Sequence, residues 1–152
     1  MLLKRFKNPD SSTVVRFYPV SPFPTPDVDV IFVFGSNLRG RHGAGAALAA
    51  AELYGAVEGV GKGLQGRSYA VPTKDAYIRT LSLHEIETYV KEFVKFTHDN
   101  PELMFMVTPV GTGLAGYSHH EIAPMFKGVI NCWLPLPWLP FWTQPDAPTF
   151  QI

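Results

Sequence analysis

Short apolar runs alternate with amphipathic stretches along most of this chain, and each pattern predicts an element. Residues 29–34, DVIFVF, form an apolar run that ends in glycine, which suits a strand buried on both faces. Residues 13–20, TVVRFYPV, are β-branched and aromatic and predict another strand, with residues 3–7 as its hairpin partner across NPDSS. Between these two strands, residues 21–27 read SPFPTPD, a stiff connector that can carry no regular ladder. Residues 44–54 predict a helix whose alanines allow close approach to a sheet and whose end is marked by Gly55. Residues 55–66 hold five glycines and read as a loop, and residues 68–71 predict a short strand. Ser82 and Glu85 make a capping-box pattern, followed by Ile86, Tyr89, Val90, Phe93 and Val94 at helical spacing. That helix runs to about residue 98, where Asn100-Pro101 stops it. Residues 103–108 predict a strand, Ser118 and Glu121 a second capping box with a short helix, and residues 129–133 a last strand. Residues 133–152 hold five prolines and read as irregular.

The order is strand, helix, strand, helix, strand, helix, strand, with no internal repeat. Such alternation predicts an α/β fold with helices on both faces of a mixed sheet, parallel in its middle: a three-layer α/β/α sandwich. In sheets of this kind ligands bind beyond the carboxyl ends of the strands. The 152 residues predict one domain over 1–152, with 134–152 as a Pro/Trp-rich C-terminal tail.

Charge narrows the functions open to such a domain. Thirteen Lys and Arg balance thirteen Asp and Glu, so the formal net charge is zero. That argues against general nucleic-acid binding, which needs a basic excess, but leaves room for a small anionic ligand at a local site. The single cysteine, Cys132, excludes a disulfide framework and a cysteine-rich zinc site, and no metal or cofactor is implied. Lys4, Arg5 and Lys7 interrupt the N-terminal apolar run, and no stretch reaches the ~18 apolar residues of a membrane span. The expectation is a soluble, cytoplasmic protein with no membrane partner.

Two glycine-rich segments follow predicted strands and precede predicted helices. The first runs from Gly35, Ser36 and Asn37 through Gly40 to Gly43 and Gly45. Glycines there expose backbone N–H groups, and a helix N-terminus favours an anion. Asn37 offers a donor and an acceptor suited to a ribose diol. The second comprises Gly111, Thr112, Gly113, Leu114, Ala115, Gly116 and Tyr117. It has the makings of an anion-binding nest with a hydroxyl donor from Thr112. At Gly113, close approach of a phosphate predicts a backbone with no room for a Cβ. Either loop taken singly is equally a tight turn, since neither completes a G-x-G-x-x-G or P-loop pattern. Two at one sheet edge fit a diphosphate between two sugars.

FGSNLRGRHGAGAALAA resembles the first binding loop of macrodomains, and GTGLAGYSHHEIAPMF resembles their phosphate-binding loop. Val71-Pro72-Thr73-Lys74-Asp75 followed by SLHEI is similar to the members that hydrolyse ADP-ribosyl-glutamate and DNA-linked ADP-ribose. The resemblance covers about residues 29–133 and implies a macrodomain-like fold that binds ADP-ribose or a relative. It implies that Asn37 contacts the distal ribose, that Lys74 lies near the ribose C1″, and that Asp29 contacts the adenine. Those hydrolases carry an acid in the second loop where this chain has Ala115. Binding therefore transfers more readily than hydrolysis.

The remaining polar residues divide between chemistry and structure. Lys74 with Asp75 reads either as a lysine facing the sugar and oriented by its neighbour, or as a solvated ion pair. His42 is an acid/base candidate beside the first loop or a half-exposed loop residue. Arg39 and Arg41 either neutralise a phosphate or point to solvent. His119 and His120 diverge on a helix and make a poor metal pair. The three tryptophans at 133, 138 and 142, with Phe141, either pack across the sheet or form a homo-oligomer contact. The expected function is binding of ADP-ribose or a related nucleotide, with ADP-ribosyl hydrolysis resting on Lys74, Asp75 and His42. The alternatives are a nucleotide-sequestering module without chemistry and, ranked lower, a Rossmann-like phosphoribohydrolase.

Overall fold

Successive residues of the central strands enter two different cores. In the computed structural model, which describes residues 15–20 and 29–142, the sheet has six strands. They are β1 (Val15–Tyr18), β2 (Val30–Asn37), β3 (Gly63–Gln65), β4 (Ser68–Lys74), β5 (Met104–Val107) and β6 (Cys132–Pro135). The helices are α1 (Gly45–Leu53), α2 (Leu83–Asp99) and α3 (His119–Ile122), with 3-10 helices at Ala123–Phe126 and Leu136–Phe141. The expected hairpin partner at 3–7, the connector at 21–27, the first two residues of the 13–20 strand and the tail beyond residue 142 lie outside the described residues.

The strand order is β1-β6-β5-β2-β4-β3, and every neighbouring pair is parallel except β3 with β4. Ile31 and Val33 of β2 join one core with Tyr69, Val71, Phe105 and Val107, under α2 and the C-terminal 3-10 helix. Val30, Phe32 and Phe34 enter the other with Ala70 and Met106, under α1. Both faces are covered, which is why residues 30–34 of β2 are all apolar rather than apolar at alternate positions. The chain is thus an α/β fold with helices on the two faces of a mostly parallel sheet, as the element order predicted.

Each helix follows from its local sequence. The α1 helix uses small residues: Ala47 and Ala50 are buried, and Tyr54 at its end stacks on Phe32 at 4.4 Å. The α2 helix buries Ile86, Val90, Phe93 and Thr97 along one stripe. Its Ser82 accepts from the Glu85 N–H while the Glu85 carboxylate accepts from the Ser82 N–H, closing the box. Phe93 meets Tyr69, Phe105 and Phe126 at ring-centroid distances of 5.0 to 6.0 Å. Truncating such a core aromatic to alanine costs about 3–5 kcal/mol.

Three expectations are corrected. Residues 63–65, read as loop, form β3 on the edge of β4, a strand too short to carry a pattern of its own. The last strand begins at Cys132 rather than 129, because Asn131 sits at φ +57° and breaks the extended run. The Asn131 side chain donates to the Pro101 carbonyl at 2.8 Å, fixing that kink. The described part of the 133–152 segment, expected to be irregular, instead completes β6 and turns into a 3-10 helix whose Trp138 is 0% exposed. Its indole donates to His119 Nδ1 at 3.1 Å. Among the described residues no helix is long and apolar enough to cross a membrane.

Candidate functional site

Parallel pairing brings the carboxyl ends of β5, β2 and β4 to one edge of the sheet, and a cleft of about 470 Å³ opens there. Gly35, two residues before the end of β2, lines it. A Cβ on Gly35 would stand 3.5 Å from Thr73 Cγ2 and 3.6 Å from the Gly111 nitrogen, so β2, β4 and the second loop meet at this point. Pro72 has no N–H for the ladder, and the β2–β4 register slips just beyond it, from Ser36↔Pro72 to Asn37↔Lys74. The slip lets both Thr73 and Lys74 line the cleft.

The first loop delivers the N-terminus of α1 to the same cleft. Its N-cap is Ala44, with no side-chain cap and no acid in the first turn, and the first helical bond runs from Leu48 N to Ala44 O. Among the described residues the N–H groups of Gly45, Ala46 and Ala47 therefore find no acceptor, and all three residues line the cleft. Both α2 and α3 close the corresponding groups with capping boxes.

The second loop adds more free donors. Tyr117 N donates to Gly111 O, Gly116 N to Gly113 O and Thr112 N to Pro109 O, which fold the loop on itself. Among the described residues, the N–H groups of Gly113, Leu114 and Ala115 find no protein acceptor, and these residues face the cleft. Thr112 spends its hydroxyl on the Pro109 carbonyl at 2.8 Å, and Tyr117 spends its hydroxyl on Leu81 O at 2.7 Å. Thr112, Gly116 and Tyr117 shape the loop without lining the cleft. Gly113 has an ordinary φ, and a Cβ there would meet open space, contrary to the tight backbone expected.

The side chains give the cleft one sign of charge. Lys74, Arg39 and Arg41 line it, and among the described residues no Asp or Glu does. Among the described residues none of the three cations makes an ion pair. Asp75, expected to orient Lys74, instead faces Arg79, whose Nε lies 3.2 Å from Oδ2. The Arg79 backbone N–H, with the Tyr77 N–H and the Arg79 guanidinium, holds the Asp75 carboxyl below its usual range.

His42 is 3% exposed and lies behind the loop rather than in the cleft. Its Nε2 pairs with Val57 O at 2.9 Å, its backbone N–H donates to Glu58 Oε1, and its ring stands edge-on to Phe34. Asn37 lines the cleft, but its amide closes the loop, donating to Arg41 O and accepting from Arg41 N. Asp29 precedes β2, at the end of the strand opposite the cleft.

Sequence reasoning missed the role of residues 57–61, which buttress the first loop. Gly59 N donates to Gly40 O, and Ser36 Oγ donates to Gly61 O. A Cβ on Gly61 would run into the Asn37 carbonyl. The glycine density of that stretch was the available signal. Ile78, also on the cleft wall, carried none.

Comparison of the chain with family models, curated proteins and solved structures found no match.

Proposed function

We propose that the cleft binds a nucleotide diphosphate of the ADP-ribose type, as the macrodomain-like motifs imply. One observation carries this reading: among the described residues, N–H groups of α1 and of the second loop without protein acceptors converge with Lys74, Arg39 and Arg41 on a cleft lined by no carboxylate. Helix N-termini and nests of backbone N–H groups are anion sites, and unpaired cations at the same place add to them. The diphosphate lies over the second loop. A ribose reaches toward Asn37, whose amide keeps one N–H and one lone pair beyond its bonds to Arg41.

The same inventory favours a binding module over a hydrolase. Among the described residues no imidazole or carboxylate lines the cleft, and the acid position of the second loop is Ala115. If an ADP-ribosyl bond is cleaved, Lys74 is the ionisable group at the sugar. A thermal-shift and calorimetry panel of ADP-ribose, NAD, AMP and ribose 5-phosphate tests the reading. At a hundred times its dissociation constant a ligand adds about 2.7 kcal/mol of stability. Absence of a shift with every adenine nucleotide would sink it.

A further inference from the structure

Ile78 is held in a conformation that β-branched residues avoid. Its φ is +64°, in the left-handed region where the branched side chain crowds its own backbone. The chain around it enforces this. Asp75 Oδ1 accepts from Tyr77 N at 2.8 Å and from Arg79 N at 2.9 Å. Ile78 N donates to Asp75 O at 3.1 Å, and Asp75 N donates to Arg79 O at 2.8 Å.

This turn is moored to the second loop, since Thr80 Oγ1 donates to Ala115 O at 3.3 Å and Tyr117 OH to Leu81 O. Both anchored segments bring an exposed aliphatic residue to the cleft lining: Ile78 is 40% exposed and Leu114 is 82% exposed. A turn that only reversed the chain would be better served at 78 by glycine or asparagine. Strain maintained at the wall of a cleft is the mark of a side chain placed for a ligand. Two aliphatic groups offer nothing to a phosphate or a hydroxyl. They fit the flat face of a ring.

We infer that Ile78 and Leu114 form an apolar clamp on a heteroaromatic ring of the bound nucleotide, and that Asp75 is the positioning residue that holds Ile78 in place. This rests on the nucleotide reading above. The ring is either the adenine or a ring attached at the far sugar. ADP-ribose carries only the first, NAD carries both, and inorganic pyrophosphate carries neither.

The test is calorimetric affinity for these three ligands in the wild-type protein, Ile78→Gly, Ile78→Val, Asp75→Ala and the Asp75→Ala/Ile78→Gly double variant. Ile78→Gly keeps the turn and removes the side chain, so Tm should be unchanged or higher. Affinity for the ring-bearing ligand should fall about tenfold, roughly 1.4 kcal/mol, with pyrophosphate unaffected. A loss for both ADP-ribose and NAD assigns the adenine, and a loss for NAD alone assigns the far ring. Ile78→Val should retain affinity. Asp75→Ala should weaken ring-bearing ligands in the wild-type background and not further in Ile78→Gly. Equal losses for pyrophosphate, no loss for either ring-bearing ligand, or a lowered Tm in Ile78→Gly would overturn the clamp. Additive losses in the double variant would overturn the role of Asp75. A wild-type protein that binds neither ADP-ribose nor NAD would overturn the nucleotide reading itself, and the clamp with it.

Discussion

The Asp75 carboxylate closes onto Arg79, four residues on, with Nε 3.2 Å from Oδ2, and leaves Lys74 beside it without an acid partner among the described residues. The consequence is electrostatic. An acid that paired with Lys74 would cancel charge in the cleft, whereas one committed to its own turn leaves the lysine for a ligand. An exposed pair of this kind contributes little stability through its Coulomb attraction. The backbone N–H groups that the carboxylate accepts give it its structural role.

Asp75 sets a pH dependence with a definite sign. Its pKa in the folded chain lies below the ordinary 3.8. The stability it contributes is complete above 3.8 and is lost as pH falls through the lower folded value. Asp75→Asn should therefore flatten the acid limb of a denaturation series run downward from pH 7, by lowering stability above pH 5 while leaving the most acid points almost unchanged. An unaltered acid limb would show that the turn does not depend on the ionised carboxylate.

Lys74→Ala should lower ADP-ribose affinity by no more than about tenfold, roughly 1.4 kcal/mol, because backbone donors hold most of the phosphate. If the protein cleaves an ADP-ribosyl bond, turnover should fall much further, the signature of a contact used mainly in the transition state. Calorimetry beside a single-turnover assay separates the two. Equal small losses would reduce Lys74 to a charge at the rim.

Legibility in the sequence tracked how local each feature is. Both capping boxes were readable because Ser82 with Glu85, and Ser118 with Glu121, lie within one turn and need no tertiary partner. The two glycine loops were readable because each follows a strand and precedes a helix, and parallel pairing then brought them together. The environment of His42 was not, because its imidazole is engaged by Val57, fifteen residues on, in a stretch with no regular pattern. The partner of Asp75 lay four residues away, yet the choice of Arg79 over Lys74 depends on a turn that no propensity predicts. For β3, only the register against β4 defines the strand.

Gly40 and Gly113 should respond oppositely to substitution, although both belong to glycine loops. Gly40 lies at φ +77°, and a Cβ there would run into the backbone of Gly59 and Val60. Left-handed strain and the overlap together predict about 2–5 kcal/mol of lost stability for Gly40→Ala. At Gly113 a Cβ meets open space. Gly113→Glu should therefore leave Tm within a few degrees and abolish ADP-ribose binding, because it places a carboxylate among the free N–H groups of the second loop. Retained affinity in a folded Gly113→Glu protein would put the diphosphate elsewhere.

Alkaline unfolding should be driven by groups that the core keeps neutral. Burial pushes the Tyr69 hydroxyl from 10.0 up to about 12, with the Glu92 carboxylate adding to the rise. Burial also raises Tyr18, whose hydroxyl donates to Val107 O at 2.7 Å, and Cys132. A raised folded pKa means the stabilising contribution is present in full below the unfolded value and is lost as pH climbs toward the folded one. For Tyr69 that window runs from pH 10 to about 12. Each such group removes at most about 1.4 kcal/mol per pH unit there. Urea denaturation between pH 8 and 11 should show stability falling steeply above pH 10, and Tyr69→Phe should shallow that fall by roughly one proton's slope. The same fall in Tyr69→Phe as in the wild-type protein would assign the alkaline limb to Tyr18 and Cys132 instead.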